Sequence, residues 1–215
     1  MRSLSVARLA AAALPMLAGG LIGWLGISGI AASFDVGLLR TLSPRDGSWP
    51  LWFLLMRGLT EAAAATPRVI MILIAAGILV ARGRPRAAGM LVAACAAGAL
   101  LVELVKDVVR RPRPTLLPHL DSVHSYSFPS AHAANATIVF GAFALLFAAP
   151  RHRTAALAAA GAIAFFTGLS RIVLAVHWPT DVLAGWCIGL GWLLLCCALG
   201  LGRPPRVDDG PRSGT

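Results

Sequence analysis

Charge is scarce in this chain. Only 13% of its 215 residues are charged, and 58% are hydrophobic, whereas a soluble domain carries roughly a quarter charged residues. The shortage argues against a soluble globular protein and for a membrane protein. Acidic side chains are the fewest, nine Asp and Glu against nineteen Lys and Arg, for a net charge of +10. They form no carboxylate cluster of the kind a Mg²⁺ site needs, so no metal and no cofactor is expected. Cysteine is also sparse. Cys95, Cys187, Cys196 and Cys197 lie inside apolar runs, without the Cys or His spacing of a zinc site. They read as small core or lipid-facing residues with no disulfide. Aromatics are few outside the apolar runs and no helix face is basic. The positive charge is therefore assigned to loops between membrane spans and not to nucleic-acid binding.

What is present is a series of long apolar runs. A span needs about 20 mostly apolar residues. Six candidates appear, at residues 9–32, 62–81, 87–105, 133–149, 155–174 and 182–201. Each is expected to be a helix, because a helix satisfies its own backbone in lipid. The second is the weakest, since Pro67 and Arg68 interrupt it. Between the first two, Trp49, Trp52 and Phe53 suit an interfacial helix along the headgroups. The N-terminal run is too long for a secretory signal and is read as a retained span. Residues 1–202 read as one all-α, six-helix domain, and residues 203–215 as a disordered cytoplasmic tail.

Arginines set the orientation. In a six-span chain, ten Lys and Arg fall on the side of both termini and nine on the other. Five of those nine belong to the polar motifs described next. Setting them aside leaves ten against four, which places both termini in the cytoplasm by the positive-inside rule.

Three motifs carry chemistry. The first runs from Lys106 through Arg110, Arg111 and Pro112 to Arg113 and Pro114. Arginine offers a planar fork to phosphate oxygens and lysine a point charge. The second is Pro129-Ser130-Ala131-His132, entering the fourth span. Ser130 suits an N-cap, and the amides after it suit an anion. The third is Ser170-Arg171, then His177, then Asp181. Pro179 fits the first turn of the sixth span, which lets Asp181 reach back to the His177 ring. A carboxylate on one imidazole nitrogen leaves the other free as a nucleophile. Of the nearby acids, the sequence picks out only Glu103 and Asp107, with Asp107 expected to pair with a local arginine. His119, Asp121 and His124 read as a solvated loop. Gly185 and Gly189 have helix-packing spacing, with a homodimer as a further possibility. All three motifs fall on one face of an alternating six-helix chain, the extracytoplasmic one.

These motifs resemble those of the type-2 phosphatidic acid phosphatase superfamily of integral membrane lipid phosphatases: Lys-x6-Arg-Pro, Pro-Ser-Gly-His, and Ser-Arg-x5-His-x3-Asp. The first and third match in full; the second has Ala131 in place of glycine. The resemblance covers roughly residues 87–201. It implies a vanadium-haloperoxidase-like phosphatase core that works without metal. It implies that His177 attacks phosphorus to form a phosphohistidine, that Asp181 orients His177, and that His132 protonates the leaving oxygen and then activates water. Lys106, Arg113, Ser130, Ala131 and Arg171 would hold the phosphate. The expected activity is hydrolysis of a membrane lipid phosphate or pyrophosphate, of the polyprenyl pyrophosphate, phosphatidylglycerol phosphate or phosphatidate class. A lipid phosphotransferase and a non-hydrolytic binding or transport protein are the alternatives. The absence of a clear repeat and of a polar midplane disfavours a transporter.

Overall fold

The computed structural model describes residues 6–43 and 51–202. Trp49 and the tail at 203–215 lie outside the described residues. Among those described, every regular element is helical: α1 (Val6–Ile27), α2 (Ala32–Leu42), α3 (Leu51–Ala62), α4 (Ala65–Ala81), α5 (Pro85–Val109), α6 (Ala131–Phe147), a 3₁₀ turn (Pro150–His152), α7 (Arg153–Val173) and α8 (Pro179–Leu199).

Four of these segments are long and apolar enough to cross a bilayer unaided: α1, α5, α7 with its preceding turn, and α8. The α3–α4 pair passes only as a unit, bent by 55°. At 17 residues, α6 rises only ~26 Å at 1.5 Å per residue. The chain is thus a multi-pass membrane protein with four to five spans by length and composition, where the apolar runs alone suggested six. The interruption of the second run lies earlier than Pro67 and Arg68 suggest. The helix breaks at Ala63 and Ala64, and Pro67 enters the first turn of α4, where a missing N–H costs nothing.

Large apolar side chains are exposed along the outer helices, among them Leu14, Leu17, Leu21 and Trp24 on α1 and Leu73 and Ile74 on α4. Patches of that size on a soluble protein would mark an interaction surface; here they form the lipid-facing exterior. Inside, small residues set the packing. α1 lies along α8, where a Cβ on Gly191 would stand 2.7 Å from the Ala12 carbonyl oxygen. α6 packs between α7 and α8. Gly185 and Gly189 face α6, and added methyls would stand 2.7 Å from the Ser130 carbonyl and 2.6 Å from the Ala134 carbonyl. That small-residue face is therefore used within the chain. The aromatic pair expected at the interface is split by the fold. Trp52 is 44% exposed, whereas Phe53 is wholly buried, packed with Val173, Leu174 and Val176.

Candidate active site

Four helix ends meet at one end of the bundle. α5 brings Lys106 in its last turn, then stops because Arg110 adopts the left-handed conformation (φ 50°). Pro112 lies just beyond, and a residue before proline resists helical geometry. The chain returns through Ser125 and Ser127 to start α6 after Ser130. α7 ends in a tight turn in which the amides of Val176 and His177 both bond the Arg171 carbonyl, at 3.2 and 3.3 Å. Ala175 takes the left-handed region there (φ 59°), a conformation that costs an L-residue roughly 1–2 kcal/mol. The turn presents His177 at the head of α8.

The three motifs converge on one cavity of about 320 Å³. Lys106, Arg113, Ala131, His132, Arg171 and His177 line it. Ser130 and Asp181 are wholly buried behind that lining. Arg113 is held by the carbonyls of Ser125 and Val176 at 2.8 and 2.6 Å, and its Nη1 donates to His177 Nε2 at 3.1 Å. Guanidinium nitrogens only donate, so Nε2 is the accepting nitrogen and the ring proton sits on Nδ1. Nδ1 faces Asp181 Oδ2 at 3.5 Å and Ser127 Oγ at 3.5 Å. The same carboxylate oxygen accepts from the Trp178 amide at 3.0 Å and from the Ser127 hydroxyl. Asp181 is thus at once the N-terminal cap of α8 and the neighbour of the imidazole.

Burial pushes the His177 pKa well below its ordinary value, and Arg113, Arg171 and Lys106 push the same way. A neutral ring follows, with its Nε2 lone pair held by Arg113 Nη1 at the cavity wall. Burial and Arg171 lower Arg113 to about 10, so it stays cationic at neutral pH. Lys106 Nζ bonds Ser125 Oγ at 3.1 Å and Glu103 at 3.3 Å. Arg171 bonds Thr60 Oγ1 at 2.8 Å and Asp121 at 2.7 Å. Four buried side-chain polar atoms among the described residues have no hydrogen-bond partner, and two of them are Ser130 Oγ and Arg171 Nε. Ser130 is the N-cap residue of α6, but its hydroxyl makes no cap bond. A buried donor without a partner costs about 1–3 kcal/mol. Two of them beside three cations describe a cradle for an anion.

Of the two acids the sequence singles out, only Glu103 reaches the site, through Lys106. Asp121 and Glu61 line the cavity, as does His124, so this loop is part of the site and not merely solvated. Asp107 contributes its backbone carbonyl, not its carboxylate, to Arg110. His119 turns away to the Pro114 carbonyl, 2.6 Å distant. Arg111 and Ser127, both against Asp181, also escape a sequence reading. Only Arg111's position between Lys106 and Arg113 hints at it. Among the described residues, no group of three or more His, Cys, Asp or Glu is placed to hold a metal.

Residues 87–203 match the family described as the PAP2 superfamily, just over half of the chain. The chain belongs to the PAP2 superfamily. It is 38% identical over 96 residues to phosphatidylglycerophosphatase B of Bacillus subtilis, covering 42% of this chain and 47% of that protein. It is 36% identical over 115 residues to a lipid A 1-phosphatase of Rhizobium etli, covering 46% and 44%. The chain thus aligns with about half the length of these curated relatives. In fold it is similar to the crystal structure of a transmembrane PAP2-type phosphatidylglycerolphosphate phosphatase from Bacillus subtilis. That likeness has a TM-score of 0.79 at 28% identity and covers 88% of this chain and 96% of the other. The helical core of this PAP2 protein is therefore that of a known membrane phosphatase fold.

Proposed function

We propose that this PAP2 protein hydrolyses a lipid phosphate or pyrophosphate through a phosphohistidine on His177. One observation carries the reading. A neutral imidazole, backed by a buried carboxylate, points its accepting nitrogen into a cavity ringed by Lys106, Arg113 and Arg171. The cations and the Ser130 hydroxyl hold the phosphoryl oxygens, with the first amides of α6, Ala131 included, available beside them. As Arg113 Nη1 turns its hydrogen bond from His177 to a phosphoryl oxygen, the freed Nε2 lone pair of His177 attacks phosphorus, the bond to the lipid oxygen breaks, and His132 gives that oxygen its proton. His132 then takes a proton from water as the water attacks phosphorus, releasing phosphate and restoring His177. Asp181 holds the Nδ1 proton and balances the charge that develops on the ring.

The relatives are named for phosphatidylglycerol phosphate and lipid A 1-phosphate chemistry, and this cavity opens at the end of the apolar helices. A phosphate at headgroup depth is the shared feature, so the substrate class is a lipid with a terminal phosphate or diphosphate. Release of phosphate from phosphatidylglycerol phosphate, phosphatidate and a polyprenyl pyrophosphate by the purified protein tests the reading. Phosphate should be released from at least one of them, with chelator changing the rate by less than about twofold, because among the described residues no group of three or more His, Cys, Asp or Glu is placed to hold a metal. A strict Mg²⁺ requirement, or binding without release, would contradict it.

The membrane arrangement follows from counting α3–α4 as one bent span and α6 as a short one. Six crossings put both termini on one side; the arginine count makes that side the cytoplasm, which leaves the cavity at the extracytoplasmic face. Arg84 at the start of α5 and Arg153 at the start of α7 then lie on the cytoplasmic side. A cysteine introduced at His124 should react with an impermeant thiol reagent on intact cells, and one at Arg84 should not. The reverse labelling would put the substrate in the cytoplasmic leaflet.

A further inference from the structure

Outside the cavity lies a buried charge network in which two members, Arg111 and Asp35, have no part in the reaction steps. Arg111 sits in the α5–α6 connection and is 8% exposed; Asp35 on α2 and Asp181 on α8 are 1% and 0% exposed. Arg111 Nη1 donates to Asp181 Oδ1 and, at 2.8 Å, to Thr180 Oγ1. Its Nη2 donates to Asp35 Oδ2 at 2.8 Å and to the Gly26 carbonyl at 3.0 Å. Asp35 in turn accepts the Thr180 amide at 2.9 Å and its hydroxyl at 2.8 Å. The Trp178 ring lies against the guanidinium, 5.6 Å from its centroid. Gly26 makes room for the arrangement, since a Cβ there would stand 2.4 Å from Thr180 Oγ1 and 2.9 Å from Arg111 Nη1.

Two carboxylates around one guanidinium leave a buried net negative charge. Such a cluster is a poor stability device, because desolvation of each ion offsets much of the attraction. It is a good orienting device. Asp181 has two oxygens with separate duties. Oδ2 serves the His177 ring and the α8 cap, while Oδ1 is fixed by Arg111 alone among the described contacts. Arg111 is in turn fixed from the other side by Asp35.

We infer that Arg111 is a positioning residue for the reaction, holding the Asp181 carboxylate at the angle His177 needs, and that Asp35 extends this support into the N-terminal helices. The inference rests on the histidine–aspartate reading above. It assigns a working role to α1 and α2, which lie outside the segment 87–203 that matches the family. Gly26 closes the network from α1, and Asp35 reaches it from α2. Arg113, two residues along, serves the ligand directly; Arg111 touches only the machinery behind it.

The test compares kcat and KM of the full-length detergent-solubilised protein on short-chain phosphatidate for Arg111→Gln, Arg111→Lys, Asp35→Asn, Asp181→Asn and the Arg111→Gln/Asp181→Asn pair. Arg111→Gln should lower kcat roughly 10–100-fold with KM within about threefold, as loss of an outer supporting contact does. Arg111→Lys should recover part of the loss. Asp35→Asn keeps an oxygen for the Thr180 amide and should show a smaller loss, again in kcat alone. In the Asp181→Asn background, Arg111→Gln should cost less than about threefold more, because the two act as one unit. Losses that multiply in the double variant, or a loss confined to KM, would overturn the inference. Should Arg111→Gln fail to accumulate folded, Asp35→Asn decides: a kcat-only loss supports the network, and unchanged kcat overturns it. Full activity in Asp181→Asn alone would instead defeat the underlying histidine–aspartate reading.

Discussion

Replacing His177 with alanine should abolish turnover on every lipid phosphate, while the protein still accumulates in the membrane. The imidazole is buried at the head of α8 with Nε2 against Arg113 at the cavity wall, and among the described contacts it is the lining histidine set against a carboxylate. Asp181→Asn should be less complete, a loss of about 10²–10⁴-fold, as for other carboxylates that hold a catalytic histidine in one tautomer. The amide keeps an oxygen for the Trp178 N–H but loses the charge that balances the ring. The pH profile follows from the direction of the His177 shift. A lowered pKa means that the neutral nucleophile persists as pH falls through the ordinary histidine value of 6.5. The acid limb of kcat/KM should therefore lie below about pH 6.5, the range of an unperturbed histidine. Wild-type-like activity in His177→Ala would remove this residue from the reaction.

The second large effect concerns His132, and it should depend on the leaving group. His132 lines the same cavity as His177, from the first turn of α6. In the proposed role of general acid it would contribute about 10²–10⁴-fold where the departing oxygen is strongly basic. A lipid monophosphate leaves as an alkoxide and needs that proton. A lipid pyrophosphate leaves as a phosphate ester and needs it far less. His132→Ala should therefore depress hydrolysis of phosphatidate much more than the first step on a polyprenyl pyrophosphate, as measured by single-turnover kinetics. Equal losses on both would assign His132 to binding instead of proton transfer.

The residues of the proposed site are easier to pick out of the sequence than the spans are. Lys106, Arg113, His132, Arg171, His177 and Asp181 are legible because each side chain's chemistry is unusual beside an apolar run, and charges near lipid are functional by default. The structure brings them around one cavity. Less legible is the broken second span. Pro67 announces a break, but a proline is tolerated in a helix's first turn, so the break falls upstream at Ala63. Phe53 reads as interfacial because aromatics favour that zone, yet it fills the space under the turn bearing His177. Asp35 is invisible to a linear reading. It lies 76 residues from Arg111 and 145 from Thr180, and no local pattern marks a contact of that range. Asp121 is missed for a related reason. Loop acids are usually solvated, and only the packing of α3, α7 and this loop brings it to Arg171.

The phosphoenzyme is the most direct test of the central claim. The purified protein would be mixed with a lipid labelled in its terminal phosphate, quenched in alkali to preserve an N–P bond, and digested for peptide mapping. The account predicts label on His177 during turnover. It should be absent from His177→Ala and should accumulate in His132→Ala given a lipid pyrophosphate, because that variant lacks the base for the water step. Phosphate release with no labelled histidine, or label on any other residue, would contradict it.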